Sequence, residues 1–85
     1  MISYKEAGQL VLNKYDKNSS VISVLDAGSS WIVSIAPKNL SKGEYVLDAN
    51  FKVNKLTGKV SEYSTVMNPE EFKKALKHEV YKVKR

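Results

Sequence analysis

The amino-acid sequence contains no cysteine, and it has only one histidine, His78, and one arginine, Arg85. Without cysteine the chain can form neither disulfide bonds nor thiolate metal sites, and it has no cysteine nucleophile. A single histidine excludes metal sites and catalytic triads built from histidine, unless carboxylates supply the remaining groups. Because cysteine is absent, we expect the reducing cytoplasm as the location of the protein.

Long hydrophobic runs are missing as well. No segment approaches the roughly 18 apolar residues that a membrane-spanning helix requires. The N-terminal segment places Lys5 and Glu6 ahead of its apolar residues and has no small-residue cleavage site, which is typical of a mature N-terminus rather than a signal peptide. With 85 residues, 42% of them hydrophobic and 27% charged, the chain predicts one globular domain over residues 1–85.

The charged residues are mostly lysines, and the formal net charge is +5. Such a charge favours anionic partners, namely nucleic acid, acidic protein surfaces or lipid head groups. The alternative is a lysine surface that only keeps the protein in solution. Arginine, whose guanidinium group binds phosphate and guanine through two parallel hydrogen bonds, is nearly absent, so the positive charge is diffuse.

The N-terminal segment predicts a helix over residues 4–16. Ser3 and Glu6 have the spacing of a capping box, in which each side chain bonds the backbone amide of the other residue. Apolar residues then recur at helical spacing, which gives the helix one apolar face. These residues are Ala7, Leu10, Val11 and Tyr15.

Four segments rich in β-branched and aromatic residues predict strands. They cover residues 21–25, 31–36, 45–53 and 60–66. The turn-forming residues 26–30 join the first two strands into a hairpin. Trp31 and Phe51 occupy core-facing strand positions, and we expect both to belong to the core. Trp31 begins its strand, however, and a half-exposed tryptophan there could anchor a partner.

A second helix is predicted to begin at Asn68, with Pro69 in its first turn. Its apolar stripe would consist of Phe72, Ala75, Leu76 and Val80, and the tail after Val80 would continue the helix or fray. The predicted fold is therefore α+β, a four-stranded antiparallel meander with an N-terminal and a C-terminal helix in the order α-β-β-β-β-α.

The stretch from Val53 to Val60 reads Val-Asn-Lys-Leu-Thr-Gly-Lys-Val and predicts a hairpin turn that needs Gly58 for positive φ. It resembles the strand-Asp-x-x-Thr-Gly-x-Val hairpin of PepSY domains, although Asn54 stands where that family usually has aspartate. The chain is also similar to small bacterial immunity-type domains, in which a helix precedes strands of the Trp-x-Val type. The resemblance implies a non-enzymatic binding module that modulates a peptidase or neutralises a toxin.

We expect the polar face of the third and fourth strands to bind another protein. Strand alternation gathers polar side chains on this face, and a neighbouring edge strand offers unpaired backbone groups. The predicted surface consists of Asp48, Asn50, Lys52, Asn54 and Lys59. The protein would then act, without metal or other cofactor, by occupying a partner protein such as a peptidase, a toxin or a phage or host component.

Two alternatives remain open. In the first, Lys73, Lys77 and Lys84 lie near one side of the C-terminal helix and bind nucleic acid along a phosphate backbone. In the second, Asp48 and Glu62 form a catalytic carboxylate pair, but charge pairing with lysines on neighbouring strands is the more usual role of such residues. His78 is expected to be exposed on the polar side of the last helix.

Overall fold

A computed structural model describes residues 1–37 and 49–83 of the chain. The elements follow one another in the order α-β-β-β-β-α-β. Their bounds are α1 Tyr4–Lys14, β1 Ser19–Asp26, β2 Ser30–Pro37, β3 Ala49–Asn54, β4 Val60–Glu62, α2 Pro69–Leu76 and β5 Glu79–Lys82. The α+β class is therefore confirmed, and the element order is confirmed up to α2.

The strands form one five-stranded antiparallel sheet in the spatial order β4-β3-β2-β1-β5. Strands β1 to β4 make the predicted meander, since each pairs with the next one in sequence. After β4 the chain crosses the whole sheet through α2 and returns as β5, which pairs with β1. Both edge strands are short, with three residues in β4 and four in β5.

The two helices cover opposite faces of the sheet. Alternation along β2 sends Val33 toward α1, where it packs in one hydrophobic cluster with Ala7 and Val11. The neighbouring residue Ile32 points to the other face and packs in a second cluster with Ala75 of α2. The larger cluster lies under α1, so most of the core is on that side of the sheet.

The prediction for the C-terminal tail was wrong, because residues 79–82 form a strand and not a helix or a frayed end. Helix α2 ends at Leu76, and the amide of His78 donates to Ala75 O at 2.9 Å, which turns the chain back toward β1. The tail then satisfies its backbone groups on the sheet, with Val83 N donating to Ile22 O at 2.9 Å. Val80 therefore belongs to the edge strand and not to the apolar stripe of a helix.

Two predicted elements were also too long. Helix α1 ends at Lys14, because the Asp16 carboxylate accepts hydrogen bonds from the following residues and starts a turn. Strand β4 ends at Glu62, since Ser64 accepts hydrogen bonds within a turn that leads to α2. The third strand is present from Ala49, and its predicted beginning at 45–48 lies outside the described residues.

Two glycines with positive φ allow a test of packing at the turn after β3. Gly28 and Gly58 have φ values of 83° and 75°, but a Cβ on Gly58 would lie 2.8 Å from Ile2 Cδ1, whereas one on Gly28 would meet nothing within 4 Å. We expect Gly28→Ala to lower the free energy of unfolding by about 1 kcal/mol and Gly58→Ala by about 2 kcal/mol. Urea unfolding of both variants measures the difference, and equal losses would show that Ile2 does not pack tightly against the turn.

Candidate functional site

A buried lysine joins the two hairpin turns at one end of the sheet. Lys55 follows β3 and is 8% exposed, and its ammonium lies 2.7 Å from Oδ1 of Asp26, the last residue of β1 before the other turn. The same ammonium lies 4.2 Å from the ring centroid of Trp31, within range of a cation–π contact. The hydrogen bond from Lys55 and a second from the backbone amide of Gly28 hold the pKa of Asp26 below its usual value.

The N-terminal segment is tied to the same point. Trp31 Nε1 donates to Ile2 O at 2.8 Å, and Ile2 N donates to Lys55 O at 2.8 Å. Ser3 then accepts a hydrogen bond from Glu6 N, as the capping box predicts, and helix α1 begins. These bonds fix where α1 starts on the sheet.

A row of three aromatic rings runs from this point to the edge strand β5. Tyr4 of α1 meets Trp31 edge to face, with ring centroids 6.4 Å apart and an interplanar angle of 71°. Its other side stacks on Tyr81 of β5, at 6.3 Å and 25°. Tyr81 is 39% exposed, so the row ends at the surface of the molecule.

An apolar groove of about 220 Å³ lies beside Tyr81, between α1 and strand β1. Its lining includes Leu12, Val21 and Val24, with Lys5 also at the groove. Gly8 faces Val21 so closely that an added Cβ would lie 2.9 Å from Val21 Cγ2. The missing side chain at Gly8 thus lets the helix approach the sheet closely.

The two edges of the sheet differ in how they are covered. At the β4 edge, Lys14 of α1 donates to Val60 O at 3.4 Å and occupies a backbone acceptor. At the β5 edge, Glu79, Val80 and Lys82 are all exposed, and within residues 1–37 and 49–83 no side chain donates to the backbone of this strand. An open edge beside an apolar groove is the arrangement that proteins use to bind an added strand.

In the structure, most of the predicted protein-binding residues bond to other residues of the same chain. Ser34 Oγ donates to Asn50 Oδ1 at 2.5 Å, and Lys52 forms an ion pair with Glu71 of α2 at 3.2 Å. Asn54 accepts hydrogen bonds from two amides of its own turn. Lys59 is exposed, and Asp48 lies outside the described residues. Helix α2 therefore makes contact with the sheet face that the sequence predicts as exposed.

The contact between α2 and the sheet also shifts the pKa values of two side chains. The hydrogen bond from Lys52 lowers the pKa of Glu71. Burial, together with the nearby Glu71 carboxylate, raises the pKa of Tyr63 to about 12. The Tyr63 hydroxyl is buried in this contact, beside the Glu71 carboxylate.

The structure describes only some of the residues of the other two hypotheses. Lys73 and Lys77 are exposed at α2 and its C-terminal cap, whereas Lys84 is not among the residues that the structure describes. Glu62 is exposed on β4, and its proposed partner Asp48 again lies outside the described part. His78 is exposed as expected, but it lies in the turn after α2, where its carbonyl accepts a hydrogen bond from the amide of Asp26.

Comparison with protein-family models, with curated proteins and with solved structures finds no match for this chain. In the part of the chain that the structure describes, no three metal-ligating side chains come together, and no helix is long and apolar enough to cross a membrane. The groove and the open edge of β5 thus stand as the site with the clearest geometry.

Sequence reasoning missed this site. The signal available for it was the adjacent pair Val80 and Tyr81 within Glu79–Lys82, because β-branched and aromatic residues favour a strand.

Proposed function

We propose that the protein is a non-enzymatic protein-binding module that binds its partner at the open edge of β5 and the adjoining groove. The single observation that carries this proposal is the contrast between the two sheet edges, one occupied by Lys14 and the other open beside exposed Val80 and Tyr81. Proteins normally protect such edges, so an exposed one next to an apolar groove supports an interaction role.

The kind of partner is suggested by the resemblance of residues 53–60 to the PepSY hairpin and by the similarity of the chain to immunity-type domains. Under this proposal the protein occupies a peptidase, a toxin or a phage or host component, and it works in the cytoplasm, as the cysteine-free composition favours. The predicted surface around Lys52 and Lys59 is then a second contact area at most, because Lys52 already pairs with Glu71.

The test is a capture experiment with the tagged full chain in lysate from its host, with nuclease added and with increasing salt. We expect one protein to be retained after nuclease and at moderate salt. Calorimetric titration of that protein, once purified, should show at least about tenfold weaker binding to Tyr81→Glu, because a charge replaces the exposed ring beside the groove. The matched control is Lys73→Glu, which changes charge on α2 and should leave the affinity within about threefold.

Nucleic-acid binding is the second candidate, because Lys73 and Lys77 are exposed and the chain carries a net charge of +5. It predicts retention that disappears with nuclease, and an affinity that falls steeply with salt. In that case the Lys73→Glu variant would lose binding and Tyr81→Glu would not. Such a result would contradict the protein-binding proposal.

A further inference from the structure

We infer that the β5 edge accepts an extended acidic segment of the partner, which adds to the sheet as a sixth strand and places one apolar side chain in the groove beside Tyr81. This inference rests on the proposed function and names the chemistry of the partner. Three features of the described residues support it, namely the direction of the backbone groups in β5, the position of the groove and the local charge.

The backbone of β5 presents unpaired groups outward. Val83 N donates to Ile22 O of β1, so the N–H of Val83 points into the sheet. In an antiparallel ladder the direction alternates from one residue to the next, and the register with β1 is regular from Val83 to Tyr81, since its one shift lies between Tyr81 and Glu79. Lys82, which lies opposite Ser23, therefore directs its N–H and C=O away from β1. These two groups are free to pair with a further strand.

The groove lies where such a strand would place a side chain. Tyr81 lies opposite Val24, whose side chain belongs to the core under α1, so Tyr81 points to the α1 face of the sheet. A residue of the added strand on the same face would lie next to Tyr81, at the mouth of the groove. Because the lining is mostly apolar, an aliphatic or aromatic side chain fits it best.

The charge around the edge is positive. Lys5 lies at the groove, Lys82 is on the strand, and Lys77 precedes it at the end of α2, all three exposed. Glu79 is the one acidic residue of the strand itself. A segment with aspartate or glutamate beside its apolar residue complements these lysines, whereas a basic segment is repelled.

The experiment uses a fluorescein-labelled peptide, Glu-Val-Asp-Leu-Asp-Val-Glu, titrated with the full chain and followed by fluorescence anisotropy. Two matched peptides serve as controls, one with every acid replaced by lysine and one with alternate backbone amides N-methylated, which removes the donors that a ladder needs. We expect the acidic peptide to bind at least about tenfold more tightly than either control. The amide shifts that it causes in an NMR spectrum should be concentrated on Val80, Tyr81 and Lys82.

Substitutions in the edge strands of the protein also test whether the peptide binds as an added strand. Lys82→Pro removes an outward N–H and should weaken acidic-peptide binding at least about tenfold, whereas Lys82→Ala removes only the charge and should weaken it about threefold. Glu62→Pro is the matched change at the β4 edge, where Tyr63 N donates inward to Asn50 O, so that the N–H of Glu62 points outward. This variant should bind the acidic peptide like the wild type.

Several outcomes would overturn the inference. They are equal binding of the N-methylated peptide, equal binding of the lysine peptide, or no binding of the acidic peptide at millimolar concentration. A concentration-dependent dimer of the free protein that Lys82→Pro abolishes would make a second copy the occupant instead. If the captured protein binds Tyr81→Glu weakly but Lys82→Pro normally, the proposed function stands and only the added-strand inference fails. If no protein is captured, the proposed function fails by itself.

Discussion

Asp26→Asn is expected to lower the free energy of unfolding by about 3 kcal/mol, roughly twice the loss expected for Lys55→Met. The asymmetry follows from what each substitution leaves behind. The side chain of Lys55 is 10% exposed, so removing the carboxylate leaves an ammonium group that water reaches poorly. The side chain of Asp26 is 38% exposed, and water can solvate it when the ammonium is removed.

Methionine at position 55 also keeps the aliphatic packing that the lysine stem provides beside Trp31. The double variant Asp26→Asn/Lys55→Met should therefore be more stable than Asp26→Asn alone, because no charge is then buried without a partner. Urea unfolding measures all three variants, with Trp31, the only tryptophan, as the fluorescence probe and circular dichroism as an independent one. Equal losses for the two single variants would contradict the burial argument.

The loss of stability caused by Asp26→Asn should become smaller as the pH falls. The pKa of Asp26 is lowered in the folded state, so its contribution is fully present above the unfolded-state pKa of about 3.9 and is lost as the pH falls through the folded-state value. The stability difference between wild type and Asp26→Asn should thus be constant from pH 7 to 5 and shrink below about pH 4. A difference that grew on acidification would assign the effect to another group.

Much of the fold followed from local patterns. The Ser3 cap sets the start of α1 as predicted, with Glu6 N donating to Ser3 Oγ, whereas the Glu6 side chain accepts from the Ser3 hydroxyl and not from the Ser3 amide. The turn at 54–58 was predicted because its bonds are local, with Asn54 accepting from the amides of Leu56 and Thr57. Interactions within four residues can be predicted from spacing alone.

The fifth strand could not be predicted in the same way. Phe72, Ala75 and Leu76 have helical spacing, and Val80 extends that spacing by one more turn, so the local pattern favours a helix to the end. The strand forms because its partner β1 lies more than 50 residues earlier in the chain and offers a free edge. Strand pairing between segments this far apart in the chain overrides the local preference for a helix.

The contacts of two lysines could not be predicted for the same reason. Lys55 lies in a lysine-rich turn, where the usual expectation is an exposed side chain, and only the arrival of Asp26 and Trp31 from another hairpin makes it buried. Likewise, Lys52 alternates with core residues and was predicted to face solvent, but the crossover through α2 brings Glu71 above it. Both contacts join elements that are distant in sequence.

Proline substitutions at two adjacent positions of β5 should have very different effects on stability. Tyr81 and Lys82 lie opposite Val24 and Ser23 of β1, and the bond from Val83 N to Ile22 O sets the alternation of the ladder. The N–H of Tyr81 thus points toward β1, and that of Lys82 points outward. Proline lacks this donor, so only the first substitution removes a hydrogen bond of the sheet.

Tyr81→Pro is expected to lower the free energy of unfolding by about 3 kcal/mol, the sum of the lost ladder bond, the ring stacking on Tyr4 and local distortion. Lys82→Pro should cost less than about 1 kcal/mol, since an edge strand accepts proline where its N–H faces solvent. Tyr81→Ala separates the loss of the ring from the loss of the donor, and urea unfolding compares all three. If the tail were helical or frayed, the two proline substitutions would have the same effect on stability. Equal losses in the free energy of unfolding would therefore contradict the presence of β5, and with it the edge to which a partner strand could add.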